Sequence, residues 1–203
     1  FHESFKRYFE PFLGSGAVFF HLKPEFAVLA DSNRELIDVY RAIQTDWQGV
    51  VRLLEQHQKR HSKDYYYMNR SQRPDGLLER AARFIYLNRT CWNGLYRVNL
   101  RGEFNVPIGT KSAVVMKTDD FRAVSELLKN TNLHNDSFKE TISLAADGDF
   151  LFVDPPYTMK HNHNGFVKYN ENIFSWGNQE ELADELRSAS ERGAKFLLTN
   201  ADH

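Results

Sequence analysis

The sequence predicts an α/β fold: a parallel sheet covered by helices on both faces, with an inserted, mainly helical region that carries a β-hairpin. Three observations lead there. Short continuous apolar runs alternate with stretches of helical spacing. The apolar runs end in glycine or acidic turns. The middle of the chain differs from its flanks in charge and in glycine, asparagine and aromatic content. At 203 residues, with 41% hydrophobic and 26% charged residues, the chain suits one domain with an elaborated insertion, and wholesale disorder is excluded.

The elements follow in order. Lys6 to Pro11 reads as a short buried strand that ends in Gly14-Ser15-Gly16, and Ala17 to Leu22 as a short helix. Phe26 to Ala30 is a second buried strand, stopped by Asp31-Ser32-Asn33. Glu35 to Ile43 has helical spacing through Leu36, Val39, Tyr40 and Ile43. Another helix starts near Thr45, with Trp47, Val50, Val51 and Leu54 on one side, and a third runs from Leu77 to Leu87. Thr90 to Gly109 reads as loop plus hairpin. Asp119 to Lys129 is helical again. Phe150 to Val153 is a buried strand that runs straight into Asp154-Pro155-Pro156-Tyr157. Gln179 to Arg192 is an amphipathic helix with Gly193 as its stop, and Lys195 to Thr199 is one more buried strand. Residues 1–44 and 113–203 are thus assigned to one domain and 45–112 to the insertion. The chain starts almost on its first strand and stops just after its last, so both ends are expected to be truncated.

Charge supports the division. Residues 1–58 hold six Lys/Arg against eight Asp/Glu, and 102–203 hold ten against sixteen. Residues 59–101 hold ten against three, a net of +7 inside a chain whose net charge is -1. A basic middle between acidic flanks suits a polyanion-binding insertion, with a solvated helical face as the plain alternative. A globally basic nucleic-acid binder is excluded. No run of eighteen apolar residues suggests a membrane span. A single cysteine, Cys91, rules out a disulfide framework and a cysteine zinc site, and makes a reducing cytoplasm the default.

Two motifs carry chemistry. In Glu10-Pro11-Phe12-Leu13-Gly14-Ser15-Gly16 the glycines let a ligand approach the backbone closely, and the helix that follows presents N–H groups. Asp31, at the end of the next strand, stands where a carboxylate accepts hydrogen bonds from a ribose diol, although a cap for the following helix explains it too. In Asp154-Pro155-Pro156-Tyr157 two prolines hold the backbone extended and remove two donors, so a carboxylate, a free carbonyl and an aromatic plane converge. That set suits an amino group on a flat ring.

Taken with Leu87 to Asn99 and Gly102 to Gly109, these motifs resemble the Dam-type (DPPY, alpha-group) DNA adenine-N6 methyltransferases over nearly the whole chain. The resemblance implies a Rossmann-like S-adenosylmethionine-dependent methyltransferase sheet and duplex DNA as partner. It implies that Glu10, Phe12, Gly14, Ser15 and Gly16 line the cofactor's methionine end and that Asp31 binds its ribose. Asp136 would touch the cofactor's ring amine and Phe138 would pack on that ring. Asp154 and the Pro155 carbonyl would hold the amino group of a flipped adenine, with Pro156 shaping the turn, Asp154 beside the cofactor and Tyr157 stacked on the base. In the hairpin, Trp92, in place of the family's usual Tyr, would wedge into the duplex. Asn93, Leu95 and Asn105 would sit by base edges, Arg97 would read guanine, and Pro107 would pack on a thymine methyl. Arg89 and Lys111 would contact phosphates. The implied target is GATC-like, and no metal is required.

Two other functions stay open on the sequence: a catalytically incomplete DNA-binding fragment, and a cytosine-N4 methyltransferase, against which Asp rather than Ser before Pro-Pro-Tyr argues. His161 and His163 have no metal-site spacing. Phe166 or Tyr169 is expected to fold onto the flipped base. Tyr65-Tyr66-Tyr67 is assigned to helix packing, Cys91 is taken as a bystander thiol, and the alternative for Trp92 is a core position.

Overall fold

A computed structural model describes residues 4–99, 101–156 and 174–199. Its centre is a sheet of five strands, β1 (Tyr8–Glu10), β2 (Ala27–Ala30), β3 (Thr131–His134), β4 (Phe150–Val153) and β5 (Lys195–Leu198), in the order β3-β2-β1-β4-β5. Every pairing is parallel. Among the described residues seven α-helices accompany it: α1 (Ala17–Leu22), α2 (Arg34–Arg60), α3 (Lys63–Ser71), α4 (Leu77–Thr90), α5 (Phe121–Leu128), α6 (Phe138–Ser143) and α7 (Trp176–Glu191). This is the Rossmann-like α/β arrangement expected from the sequence.

The chain divides into two compact units, one of Phe1–Asn33 with Asn130–His203 and one of Arg34–Lys129. In the sheet unit the central strands are apolar because both faces are covered. Phe9, Val28, Leu151 and Val153 join Phe138 and Ile142 of α6 and Leu182, Leu186 and Ala189 of α7 in one core. Tyr8 and Phe150 meet Phe5, and Tyr8 also meets Phe19 of α1. Helix starts are written in short polar signals. Ser137 and Glu140 close a capping box on α6, and Ser175 and Asn178 do the same on α7. The end of α7 is a Schellman motif: Gly193, at φ 91, donates to Ser190 O, and Ala194 donates to Ala189 O. The predicted glycine stop is therefore where the helix ends.

The second unit is helical, and α2 packs along α4 and α5. Within α2, Asp46 leaves helical geometry (φ -151, ψ 73) and its Oδ1 accepts the Gly49 N–H at 2.8 Å. Asp46 thus caps the second half, which accounts for two helical stretches being read around Thr45. Tyr66 is fully buried and its hydroxyl donates to Val106 O, while Tyr65 and Tyr86 cluster around His57. The tyrosine run is packing.

Two strands differ from the sequence reading. The strand Thr131–His134 was not read from the sequence, because it has no apolar run; it is held by its ladder with β2. The last strand is not buried: Phe196, Leu197 and Leu198 are 41%, 36% and 42% exposed, and among the described residues β5 pairs only with β4. The first half of α2 and all of α5 pack within the helical unit.

The His57 cluster makes a prediction. His57 Nδ1 lies 2.9 Å from the Tyr65 hydroxyl and its ring stacks on Tyr86 at 4.7 Å. Burial, reinforced by Arg60 and Arg83, lowers its pKa to about 4. The unfolded value is near 6.5. A depressed folded value means that the stabilisation is complete above pH ~6.5 and is lost as pH falls towards 4. Denaturant unfolding at pH 7.5 and pH 4.5 is expected to show about 1–3 kcal/mol less pH dependence in His57→Gln than in the parent chain.

Candidate active site

The two sequence motifs emerge side by side. β1 pairs with β4, Tyr8 opposite Phe150 and Phe9 opposite Leu151, so the turn after Glu10 and the turn after Val153 leave neighbouring strands at the same sheet edge. β1 continues the sheet towards β2 on one side and β4 on the other. That reversal of strand order is where open α/β sheets leave a crevice for ligands, outside the carboxyl ends.

On the β1 side the glycines have a geometric reason. Gly14 and Gly16 sit at φ 49 and 65, and a Cβ at Gly14 would meet nothing within 4 Å. The turn is thus open to a ligand at its backbone. Leu13 N–H donates to Ala30 O, and Gly14 N–H donates to Asp31 Oδ2 at 3.0 Å, which ties the turn to the end of β2. Asp31 Oδ1 accepts the Asn33 N–H at 2.8 Å, so this carboxylate also organises the entry to α2. Ser15 is exposed and Phe12 half-buried.

Glu10 is 3% exposed. Tyr8, two residues back on the same face of the strand, donates its hydroxyl to Glu10 Oε2 at 2.8 Å. Burial raises the Glu10 pKa to about 7; hydrogen bonds from Tyr8 and from the Phe19 N–H oppose the rise, and the charge of Asp154 adds to it. The charge of Asp154 is thus felt at Glu10, across the two motifs.

On the β4 side Asp154 is exposed, Pro155 buried and Pro156 half-buried. Thr199, just past β5, donates its hydroxyl to Asp154 Oδ1 at 2.5 Å. Tyr157 lies outside the described residues, as do His161, His163, Phe166 and Tyr169. At the end of β3, Asn135 Nδ2 donates to Asp31 O at 2.9 Å and to Ser32 O at 3.1 Å. Asp136 is exposed and pairs with His134 Nδ1 at 3.1 Å. Phe138 stacks on Phe12 at 5.5 Å, and both meet Phe174 edge-on. The sheet edge therefore gathers Glu10, Phe12, Gly14, Asp31, Phe138 and Asp154.

In the helical unit the predicted hairpin is present but irregular. Cys91 bridges Ile108 and Val98 bridges Phe104, both antiparallel. Trp92 N–H donates to Pro107 O and Asn105 N–H to Arg97 O. Trp92 is 55% exposed, which rejects the core position for it. Asn93 and Gly94 both have positive φ, 56 and 64. Leu95, Arg97, Pro107 and Lys111 are exposed, and Asn105 is half-buried. Arg97 Nε donates to Asn105 Oδ1 at 2.9 Å.

Arg89 is placed otherwise. Its two terminal nitrogens donate to both oxygens of Asp119 at 2.7 Å, one of them also to Val114 O, and the guanidinium lies over Phe121. An arginine so enclosed braces the unit. Cys91 is buried, and burial pushes its thiol pKa up, the opposite of an activated nucleophile.

Sequence reading missed Tyr8, Thr199 and Phe174. Tyr8 lies inside a buried strand, although i, i+2 spacing places it beside Glu10. Thr199 ends an apolar strand at the ligand-binding edge, which was a usable signal. Phe174 stands outside any periodic pattern. Among the described residues no group of three or more His, Cys, Asp or Glu is placed to hold a metal ion, and no helix is long and apolar enough to cross a membrane.

A family model, D12 class N6 adenine-specific DNA methyltransferase, matches residues 1–203. The chain belongs to that family. Curated relatives agree. The type II methyltransferase M1.LlaDCHI of Lactococcus lactis subsp. cremoris is 37% identical over 98% of this chain and 73% of its own length. The type II methyltransferase M.MjaIII of Methanocaldococcus jannaschii is 35% identical, over 97% and 74%. The DNA adenine methylase of Escherichia coli K12 is 32% identical, over 95% and 71%. This D12 class chain is accordingly an adenine-specific DNA methyltransferase.

The hairpin of the D12 class chain rests on one close approach. A Cβ at Gly109 would lie 2.5 Å from the Cys91 carbonyl oxygen, too near for any real side chain. Gly109→Ala is expected to destabilise the chain by about 1–3 kcal/mol. It is also expected to speed amide exchange at Trp92, whose N–H is bonded across the hairpin. Exchange as slow as in the parent would mean that the backbone absorbs the methyl.

Proposed function

We propose that the chain moves a methyl group from S-adenosyl-L-methionine to N6 of an adenine flipped out of duplex DNA, in a GATC-like site. The observation that carries this reading is the β1–β4 pairing, which sets Asp154 beside the open Gly14 turn.

The residues present fit the cofactor. The turn from Glu10 through Phe12, Gly14, Ser15 and Gly16 offers open backbone and a buried carboxylate to its methionine end. Asp31 offers a carboxylate at the end of β2 for a ribose, and Asp136 and Phe138 a carboxylate and a ring for its adenine. When bound, S-adenosyl-L-methionine supplies an electrophilic sulfonium methyl.

The chain's own work is on the nucleophile. Adenine N6 attacks poorly because its lone pair is delocalised into the ring. Asp154 and the Pro155 carbonyl accept hydrogen bonds from its two N–H groups, draw the nitrogen towards tetrahedral geometry and localise the lone pair. Both acceptors face the positive charge that develops on N6, which is the form of stabilisation that lowers a barrier most. The two prolines keep the backbone that carries these acceptors fixed, the Pro155 carbonyl above all, so little reorganisation is needed there. Tyr157 offers the everted base a stacking plane that offsets part of the lost stacking.

In the helical unit, Trp92, Asn93, Leu95, Arg97, Asn105 and Pro107 form the surface that reads sequence, with Lys111 on phosphate. Asn105 holds Arg97 by its Nε, which leaves the Nη fork as the part suited to guanine O6 and N7.

Two outcomes check this. Asp154→Ala is expected to lower methyl transfer by about 10²–10³-fold or more while DNA affinity stays within a few-fold, measured with tritiated S-adenosyl-L-methionine and by gel shift. An equal loss of DNA affinity would remove Asp154 from the chemistry. Arg97→Ala is expected to cost about 1–3 kcal/mol at one base pair and relax specificity there. Uniform weakening across duplexes that differ at single positions would make Arg97 a phosphate contact instead.

A further inference from the structure

We infer that Thr199 is a positioning residue for Asp154, holding one carboxylate oxygen so that the other is presented to the amino group of the base. The inference rests on the role proposed for Asp154 and goes beyond it by naming what aims that side chain.

An aspartate in a turn commonly fixes its carboxylate on the N–H of the residue two positions on. Here the next two residues are Pro155 and Pro156, and neither has an N–H to offer Asp154.

The neighbouring strand supplies the donor. Parallel pairing runs to the end of β4 and β5, with Val153 opposite Leu198. One residue further, Thr199 N–H donates to Val153 O at 2.9 Å. The Thr199 backbone is thus pinned by the sheet ladder rather than by a loop. Its hydroxyl lies 2.5 Å from Asp154 Oδ1 and 3.4 Å from Val153 O. Both neighbours are acceptors, so the hydroxyl is the donor, and its single proton goes to the nearer and charged one. A hydrogen bond to one oxygen limits rotation of the carboxylate about its Cβ–Cγ bond. The lone pairs of Oδ2 then keep one direction, and the hydroxyl itself need touch neither substrate.

The effect should fall on turnover. Misdirecting an acceptor by a fraction of an ångström costs catalysis without weakening binding. Thr199→Val keeps the shape and removes the hydroxyl, and Thr199→Ser keeps the hydroxyl. In the intact protein, single-turnover methyl transfer by Thr199→Val is expected to be about 10–100-fold slower. KM for both substrates is expected to stay within about two-fold, with Thr199→Ser within about three-fold of the parent in all respects. Single turnover is the right readout because product release limits many such enzymes. Where the valine variant does not fold, Thr199→Ala against Thr199→Ser gives the same comparison of hydroxyl absent and present. A parent-like rate for the variant without a hydroxyl, with Asp154→Ala inactive, would overturn the inference while leaving the role of Asp154 standing. Equal losses in the serine and valine variants would also overturn it, as a packing effect. A parent-like rate in Asp154→Ala would instead bring down the reading on which the inference rests.

Discussion

The active-site edge depends on the register between two short strands. β1 and β4 pair over Tyr8–Phe150 and Phe9–Leu151, and that ladder decides which residues come level at the carboxyl edge. Side chains alternate along a strand, so a slip by one residue would turn Phe9 and Leu151 away from the core formed with α6 and α7. Burial therefore fixes the register, and the register fixes where Glu10 and Asp154 stand. Glu10 closes its strand, and the Gly14 turn and Asp154 lie just beyond theirs.

The helical unit shows how little a charge count says by itself. Much of the +7 of residues 59–101 is structural. Arg83 is 6% exposed and donates to the carbonyls of Asn69 and Arg70, satisfying the last turn of α3, with Glu35 as its ion partner. Arg80 pairs with Asp38, and Arg89 with Asp119. Arginine suits this work because it stays charged when buried and its flat fork reaches several acceptors at once. The basic groups left at the hairpin surface are few, and Arg97 is the one whose orientation is set by a neighbouring side chain.

The fold was legible where local chemistry and packing agree. The apolar runs at Ala27–Ala30 and Phe150–Val153, the Gly14 turn and the Gly193 stop each carry their reason in a few adjacent residues. β3 was not legible, because an edge strand with polar residues is specified by its neighbour's backbone rather than by its own pattern. The exposure of β5 was hidden for a related reason: an apolar run says that a strand can be buried, not that something covers it. At the site, residue identity gave the motifs. Tyr8 and Thr199 were invisible to that reading because each acts on a carboxylate through a contact, one two residues away on a strand and the other 45 positions away. The partner of Arg89 was hidden too: its acidic neighbour stands 30 positions on.

The enclosed carboxyl of Glu10 has a last consequence. With its pKa raised to about 7 by burial, this group takes up a proton far more readily near neutrality than a free glutamate does. It acts as a small reservoir of charge rather than a fixed one. A cation settling at that edge would drive the proton out, and an anion would hold it in. Ligand association there is then accompanied by proton exchange with the buffer, and a heat of binding recorded in buffers of different ionisation enthalpy would carry that signature.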